Sequence, residues 1–92
     1  MVSKLFVKTL KASIYLQQIG KHFSHKLKVE FDAHAGRIEF PFGIAELNVE
    51  ELGLNIIVKA ESAEKLDKMK YVLASHLERF AFREKLKCNW DK

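Results

Sequence analysis

The chain has 92 residues, 48% of them apolar and 30% charged, with one proline, one cysteine and a formal net charge of +4. That composition excludes an intrinsically disordered segment, which would be poor in Leu, Ile, Val and Phe, and a lone Cys88 excludes a disulfide-framed fold. No apolar run nears the roughly 20 residues of a membrane span, and the opening MVSKLFVKTLK is too charged for a secretory signal, so a single reduced, cytoplasmic, soluble domain over residues 1–92 is expected.

Leu5, Phe6 and Val7 suggest a first strand. From about Lys11 to His25, Tyr15, Leu16, Ile19 and Phe23 recur at helical spacing with Ile14 beside them, which predicts an amphipathic helix. Gly20 inside that pattern costs about 1 kcal/mol relative to Ala. Close packing is the leading reason for it, and a helix break is the alternative. Strict alternation then begins in Leu27-Lys28-Val29-Glu30-Phe31-Asp32, the period of a half-buried strand. Ala33-His34-Ala35-Gly36 reads as a turn in which Gly36 is free to take positive φ. Arg37 to Phe40 alternates again until Pro41-Phe42-Gly43 interrupts it. Ala45, Leu47 and Val49 mark the next strand, Glu50-Glu51-Leu52-Gly53 a turn, and Leu54, Ile56, Val58 and Ala60 the strand after it. Ser62 is a suitable N-cap for a second helix, with Leu66, Met69, Leu73, Leu77 and Phe80 as its stripe and an end near Glu84. Leu86, Cys88 and Trp90 alternate with polar residues, which suggests a short last strand.

The order β-α-β-β-β-β-α, with a final β as an option, implies an α+β fold whose two helices cover one face of an antiparallel sheet. TATA-binding-protein-like and helix-grip architectures share that order, and order alone carries no function. Charge is uneven along the chain. Residues 1–28 sum to +6, residues 29–64 to −6 and residues 65–92 to +4. A basic helical layer on an acidic sheet is therefore expected, a distribution that could steer an anionic partner.

Two polar clusters could carry chemistry. His76, Arg79 and Arg83 fall on one side of the second helix, at the border of its apolar stripe, together with Val72. Arginines so placed can clamp a carboxylate or phosphate, or can instead pair with strand carboxylates such as Glu30 or Glu39. His22 and His25 lie three residues apart at the end of the first helix, where basic groups also favour the helix dipole. With His76 they form a candidate set for a metal ion, although no spacing here is diagnostic of one. No cofactor is expected otherwise. His34 reads as an exposed turn residue and Cys88 as an inert, inward-facing thiol. No phosphate-binding glycine loop, nucleophile elbow or metalloprotease motif is present, so an enzyme is not expected.

Three segments carry a resemblance: Tyr15-Leu16-x-x-Ile19-x-x-His22-Phe23-x-His25-Lys26, then Gly36-Arg37-Ile38-x-Phe40-x-x-Gly43, then His76-Leu77-Glu78-Arg79-Phe80-Ala81-Phe82-Arg83-Glu84. Together they make the chain resemble the small bacterial family known as domain of unknown function 2218 over essentially its whole length. That family often has a cysteine where this chain has Gly20, so a thiol role at that position does not carry over. Its members stand alone or are fused behind flavin-dependent siderophore-interacting domains. The resemblance thus implies a link to iron or siderophore handling, with a siderophore-interacting reductase as a partner. It also places the family's polar signature on His22, His25, His76, Arg79 and Arg83. The leading expectation is a non-catalytic binding or accessory domain for an anionic or iron-chelate ligand at those residues. The alternatives are a protein–protein interaction module or homodimer without ligand, and a nucleic-acid-binding domain suggested by the basic ends and the seven phenylalanines. No membrane partner is expected.

Overall fold

A computed structural model describes the chain apart from Phe82, Lys85, Lys87, Asn89 and Lys92. Seven elements follow in order: β1 (Val2–Lys8), α1 (Ala12–Ser24), β2 (Lys28–Phe31), β3 (Ala35–Phe40), β4 (Gly43–Glu50), β5 (Gly53–Lys59) and α2 (Ala63–Phe80). They form an α+β fold in which the five strands lie in the order β1-β5-β4-β3-β2, all neighbours antiparallel. β2 to β5 are a meander, while β1 closes against β5. α1 consequently carries the chain across the sheet from one edge to the other. Among the described residues no helix is long and apolar enough to cross a membrane.

The period-2 pattern decides which face each strand buries. Leu5 and Val7, Ile38 and Phe40, Ala45 and Leu47, and Leu54, Ile56 and Val58 all point to the helix side and are buried. Tyr15, Leu16 and Ile19 from α1 and Met69, Leu73 and Leu77 from α2 close over them. Two hairpins turn in two residues each, since Phe40 faces Gly43 and Glu50 faces Gly53. Pro41 and Phe42 therefore form a tight turn, a place where the missing proline N–H costs no ladder bond.

Some expectations are revised. Gly36 is a residue of β3 facing Phe31, and the β2–β3 turn is made by Asp32 instead. The Asp32 carboxylate accepts the His34 and Ala35 backbone N–H groups at 2.7 and 2.9 Å, an Asx turn that needs no left-handed glycine. These bonds hold the Asp32 carboxyl below its ordinary range. Ile14 lies on the solvent side of α1 and is 53% exposed.

α2 stops at Phe80 rather than Glu84. Ala81 caps it and donates to Leu77, after which Glu84 N donates to Ala81 O in a further turn. The expected last strand falls partly on Lys87 and Asn89, outside the described residues. Of the rest, Leu86 and Cys88 are half-buried coil, and Trp90 makes one isolated bridge to Leu5. Asp91 completes this contact. Its Oδ1 accepts the Ser3 hydroxyl at 2.8 Å, and its backbone N–H donates to Lys4 O at 2.9 Å. The outer edge of β1 is thereby closed by the chain's own end. Cys88, with its thiol pushed up to about 11 chiefly by burial, is held in the unreactive protonated form.

The expected separation of a basic layer from an acidic one does not appear on the outer face of the sheet. β1 brings Lys4 and Lys8 there and β2 brings Lys28, so cations and carboxylates interleave. Lys28 meets Glu39 at 3.6 Å and Lys59 meets Glu46 at 3.0 Å. Segment sums along the chain failed because β1, although sequentially part of the basic end, joins the sheet.

Gly20 stays helical and buried against Phe31, where an added Cβ would sit 2.6 Å from two ring atoms. Close packing is therefore its role. Gly20→Ala should destabilise the fold by about 1–2 kcal/mol despite the better helix propensity, because overpacking outweighs the gain. Phe31→Leu in the same chain should recover most of that loss in urea unfolding. Additive losses in the double variant would show that the ring is not the obstacle.

Candidate functional site

Where the C-terminal turn of α1 meets the C-terminal half of α2, rings from the two helices, β3 and the β3–β4 turn contact one another in sequence. His22 lies 4.7 Å from His76 between centroids, and His76 lies 4.9 Å from Phe23. Phe23 then meets Phe40 of β3 at 5.0 Å, edge on, and Phe40 meets Phe42 of the β3–β4 turn at 5.4 Å. Lys68 Nζ covers Phe42 at 4.5 Å, a cation–π contact. Phe80 closes the other end, 5.8 Å from His22. Helical spacing puts each ring on its face, and it is the α1–α2 packing that brings the two histidines together.

Beside this ladder is a cleft of about 460 Å³. Its walls are apolar, formed by Phe23, Leu27, Phe40, Phe42 and Val72, while His22, His25 and Lys26 stand at the rim. A body of apolar surface with a few convergent polar groups is the ordinary make-up of a small-molecule site. The cations are also consistent with their position at a helix end. Phe23 O already accepts from both Lys26 and Leu27, and basic groups offset the remaining negative end of the α1 dipole.

Of the residues singled out from the sequence, His22 and His25 line the cleft. His76 is a ring behind them. Its Nδ1 is 2.7 Å from Val72 O, and a carbonyl can only accept, so Nδ1 carries the proton and donates. That contact leaves Nε2 as the ring nitrogen not engaged with Val72. Arg79 is close enough to act electrostatically on His22. Arg83 falls in the turn after α2 and so leaves the helical arc shared by His76 and Arg79; the early helix end is the reason. The strand carboxylates proposed as partners are placed elsewhere, with Glu39 on Lys28 and Glu30 opposite Arg37. Among the described residues no group of three His, Cys, Asp or Glu side chains is positioned to share a metal ion.

Desolvation, followed by the charges of His76, Arg79, His25 and Lys26, lowers the His22 pKa below its ordinary value. At neutral pH His22 is therefore an uncharged hydrogen-bonding group, and Lys26 supplies the fixed positive charge of the rim. The linkage has a definite sign. Both folded and unfolded chains hold neutral His22 above pH 6.5, and below it the unfolded chain takes up the proton first. His22 thus weakens folding as pH falls from 6.5 through its lowered folded value. A proton NMR titration should find the His22 midpoint below that of a free imidazole, and Arg79→Gln should raise it. A midpoint at or above the free value would contradict this description of the cluster.

A second polar cluster escaped the sequence reading. The Glu84 carboxylate accepts the Thr9 hydroxyl at 2.9 Å and also the Tyr15 hydroxyl. Thr9 Oγ1 in turn accepts Lys11 N at 3.0 Å, at the start of α1. Glu84 ends the motif that begins at His76, and that coincidence was the available signal. The phenylalanines proposed for nucleic-acid stacking are also accounted for in part, since Phe31 and Phe40 lie under the helices while Phe6 stands on the open face, 45% exposed.

Residues 6–91 match the family of uncharacterized proteins conserved in bacteria, domain of unknown function 2218. In structure the chain is similar to PA4090 from Pseudomonas aeruginosa, solved by NMR, with a TM-score of 0.82 and 31% identity. That similarity covers 98% of this chain and 94% of the other. No curated protein matches the chain. The chain belongs to the domain of unknown function 2218 family.

Proposed function

We propose that this family member is a non-catalytic binding domain that takes a small anion with an apolar body in the cleft between the end of α1 and the β3–β4 turn. The observation that carries the reading is the make-up of the cleft itself: about 460 Å³ walled by Phe23, Leu27, Phe40, Phe42 and Val72 and rimmed by His22, His25 and Lys26. The apolar body of the ligand would lie against the rings, where burial contributes about 25 cal/mol per Å² removed from water. Its charged end would face Lys26 and accept from His22 or His25. His76 and Arg79 act as positioning residues behind the rim, His76 by packing on Phe23 and His22 and Arg79 through its charge. Arg83 lies in the turn beyond α2, outside the helical arc of His76 and Arg79.

The kinship with chains fused behind siderophore-interacting flavoproteins makes an anionic iron chelate one compound to try, and a reductase of that type one partner. The decisive comparison is chemical. Calorimetric titration of tag-free protein with octanoate, benzoate, a ferric siderophore and inorganic phosphate should show binding of anions that have an apolar body. Inorganic phosphate should bind at least about tenfold more weakly, since it fills none of the apolar wall. Lys26→Gln and Phe42→Ala should each weaken the bound compound. Binding by none of the anions, or binding indifferent to both substitutions, would overturn the proposal.

A further inference from the structure

The two edges of the sheet are treated differently. Asp91 and Trp90 close β1, as described, whereas the outer side of β2 meets no strand or loop among the described residues. Backbone direction on β2 follows from one bond. Asp32 N donates to Ala35 O at 2.9 Å, toward β3. Successive residues of a strand direct their N–H and C=O groups to opposite sides, so Val29 and Phe31 direct theirs away from β3, out of the sheet. The strand offers two free amide positions on an open edge, which is a template for another strand.

We propose that β2 pairs with β2 of a second copy, antiparallel about Val29, to make a symmetric dimer with one continuous sheet. The argument for a second copy rather than another partner is charge complementarity. On the outer face Lys28 and Glu30 alternate in sign with Glu39 and Arg37 of β3, their register partners. Placing Val29 opposite Val29 of the second copy sets Lys28 against Glu30 of that copy, and Glu30 against its Lys28. The alternation of sign thereby continues unbroken across the junction. Because Val29 is the hydrogen-bonded pair at the centre, these charged pairs occupy the non-hydrogen-bonded sites, where opposite side chains come closest. The strip of α1 above this edge is made of small and uncharged residues, with exposed Lys21 at its border. Ser13, whose hydroxyl donates to Ala33 O, Gln17, which donates to Ser13, and Gly20, packed on Phe31, form that flank. A two-fold dimer with an isologous interface is the commonest symmetric oligomer.

Sedimentation equilibrium over a wide protein concentration range, together with amide hydrogen exchange, tests the proposal. The mass should rise from one chain to two, and the Val29 and Phe31 amides should become protected over the same range. Glu30→Lys sets lysine against lysine at both symmetric pairs and should weaken association by about tenfold or more. Val29→Pro removes an outward amide but no bond to β3, so a chain that keeps its circular dichroism should be monomeric at every concentration. A single-chain mass throughout, or a dimer that both variants leave intact, would overturn the proposal.

Discussion

Gly53→Ala should cost about 3 kcal/mol of folding free energy, the upper range for overpacking, and lower the melting temperature by roughly 12–20 °C. Gly53 opens β5 directly after a two-residue turn and stands between Lys8 of β1 and Glu50 of β4. A Cβ there would lie 2.0 Å from Val7 O and 2.9 Å from the Phe6 ring. The first obstacle is backbone, and backbone in a hydrogen-bonded pair of strands cannot rotate away as a side chain does. Relief would require β1 to separate from β5, and β1 is bound to the end of the chain through Ser3, Lys4 and Asp91. Truncating Phe6 should therefore not rescue Gly53→Ala, in contrast to the rescue of Gly20→Ala by Phe31→Leu. Urea unfolding of the single and double variants checks this. A loss below about 1 kcal/mol would show that the strands have room to part.

Glu84→Ala should destabilise the fold by up to about 2 kcal/mol, because removing one carboxylate leaves two buried hydroxyls without an acceptor. Thr9 is 6% and Tyr15 4% exposed, while Glu84 itself is exposed, so water entering the vacated space offsets part of the loss and about 2 kcal/mol is its upper end. The cluster joins the end of β1, the first half of α1 and the turn after α2, and its loss should also increase exchange of the Ala81 amide. Tyr15→Phe in the Glu84→Ala background should cost much less than in the native chain, since its partner is already gone. Equal costs in the two backgrounds would remove Glu84 as the acceptor.

The same cluster shows where sequence reading stops. Glu84 is separated from Tyr15 by 69 residues and from Thr9 by 75. Local pattern around Ala81 still favours helix, whereas the helix ends at Phe80 and the turn that follows carries Glu84 to residues far back in the sequence. Strand faces were legible because alternation decides them locally, as in Val29 to Phe31 and Leu54 to Val58. The final strand was not, since pairing of a terminal segment depends on an edge elsewhere in the sheet. Legibility of the site was similarly divided. His22 and His76 stood out as polar residues bordering apolar stripes, and they do meet. Phe40 was legible as a strand residue and Phe42 as part of the interrupting turn, and the side each turns to the cleft could not be inferred, because that depends on how far apart the helices sit. Arg83 was assigned to a helical face that ends three residues before it. Charge was the least transferable quantity, because β1 carries lysines into the sheet while acids of the middle segment such as Asp32, Glu51 and Glu61 fall outside the strands.

The binding proposal turns on where a ligand sits. Titrating nitrogen-15-labelled protein with the tightest-binding carboxylate, while following amide shifts, locates it directly. The account predicts changes concentrated at Phe23, His25, Leu27, Phe42 and Val72, with little movement on the open face at Arg37, Glu46 or Asn48. Shifts centred on that open face, or no saturable shifts at all, would contradict it.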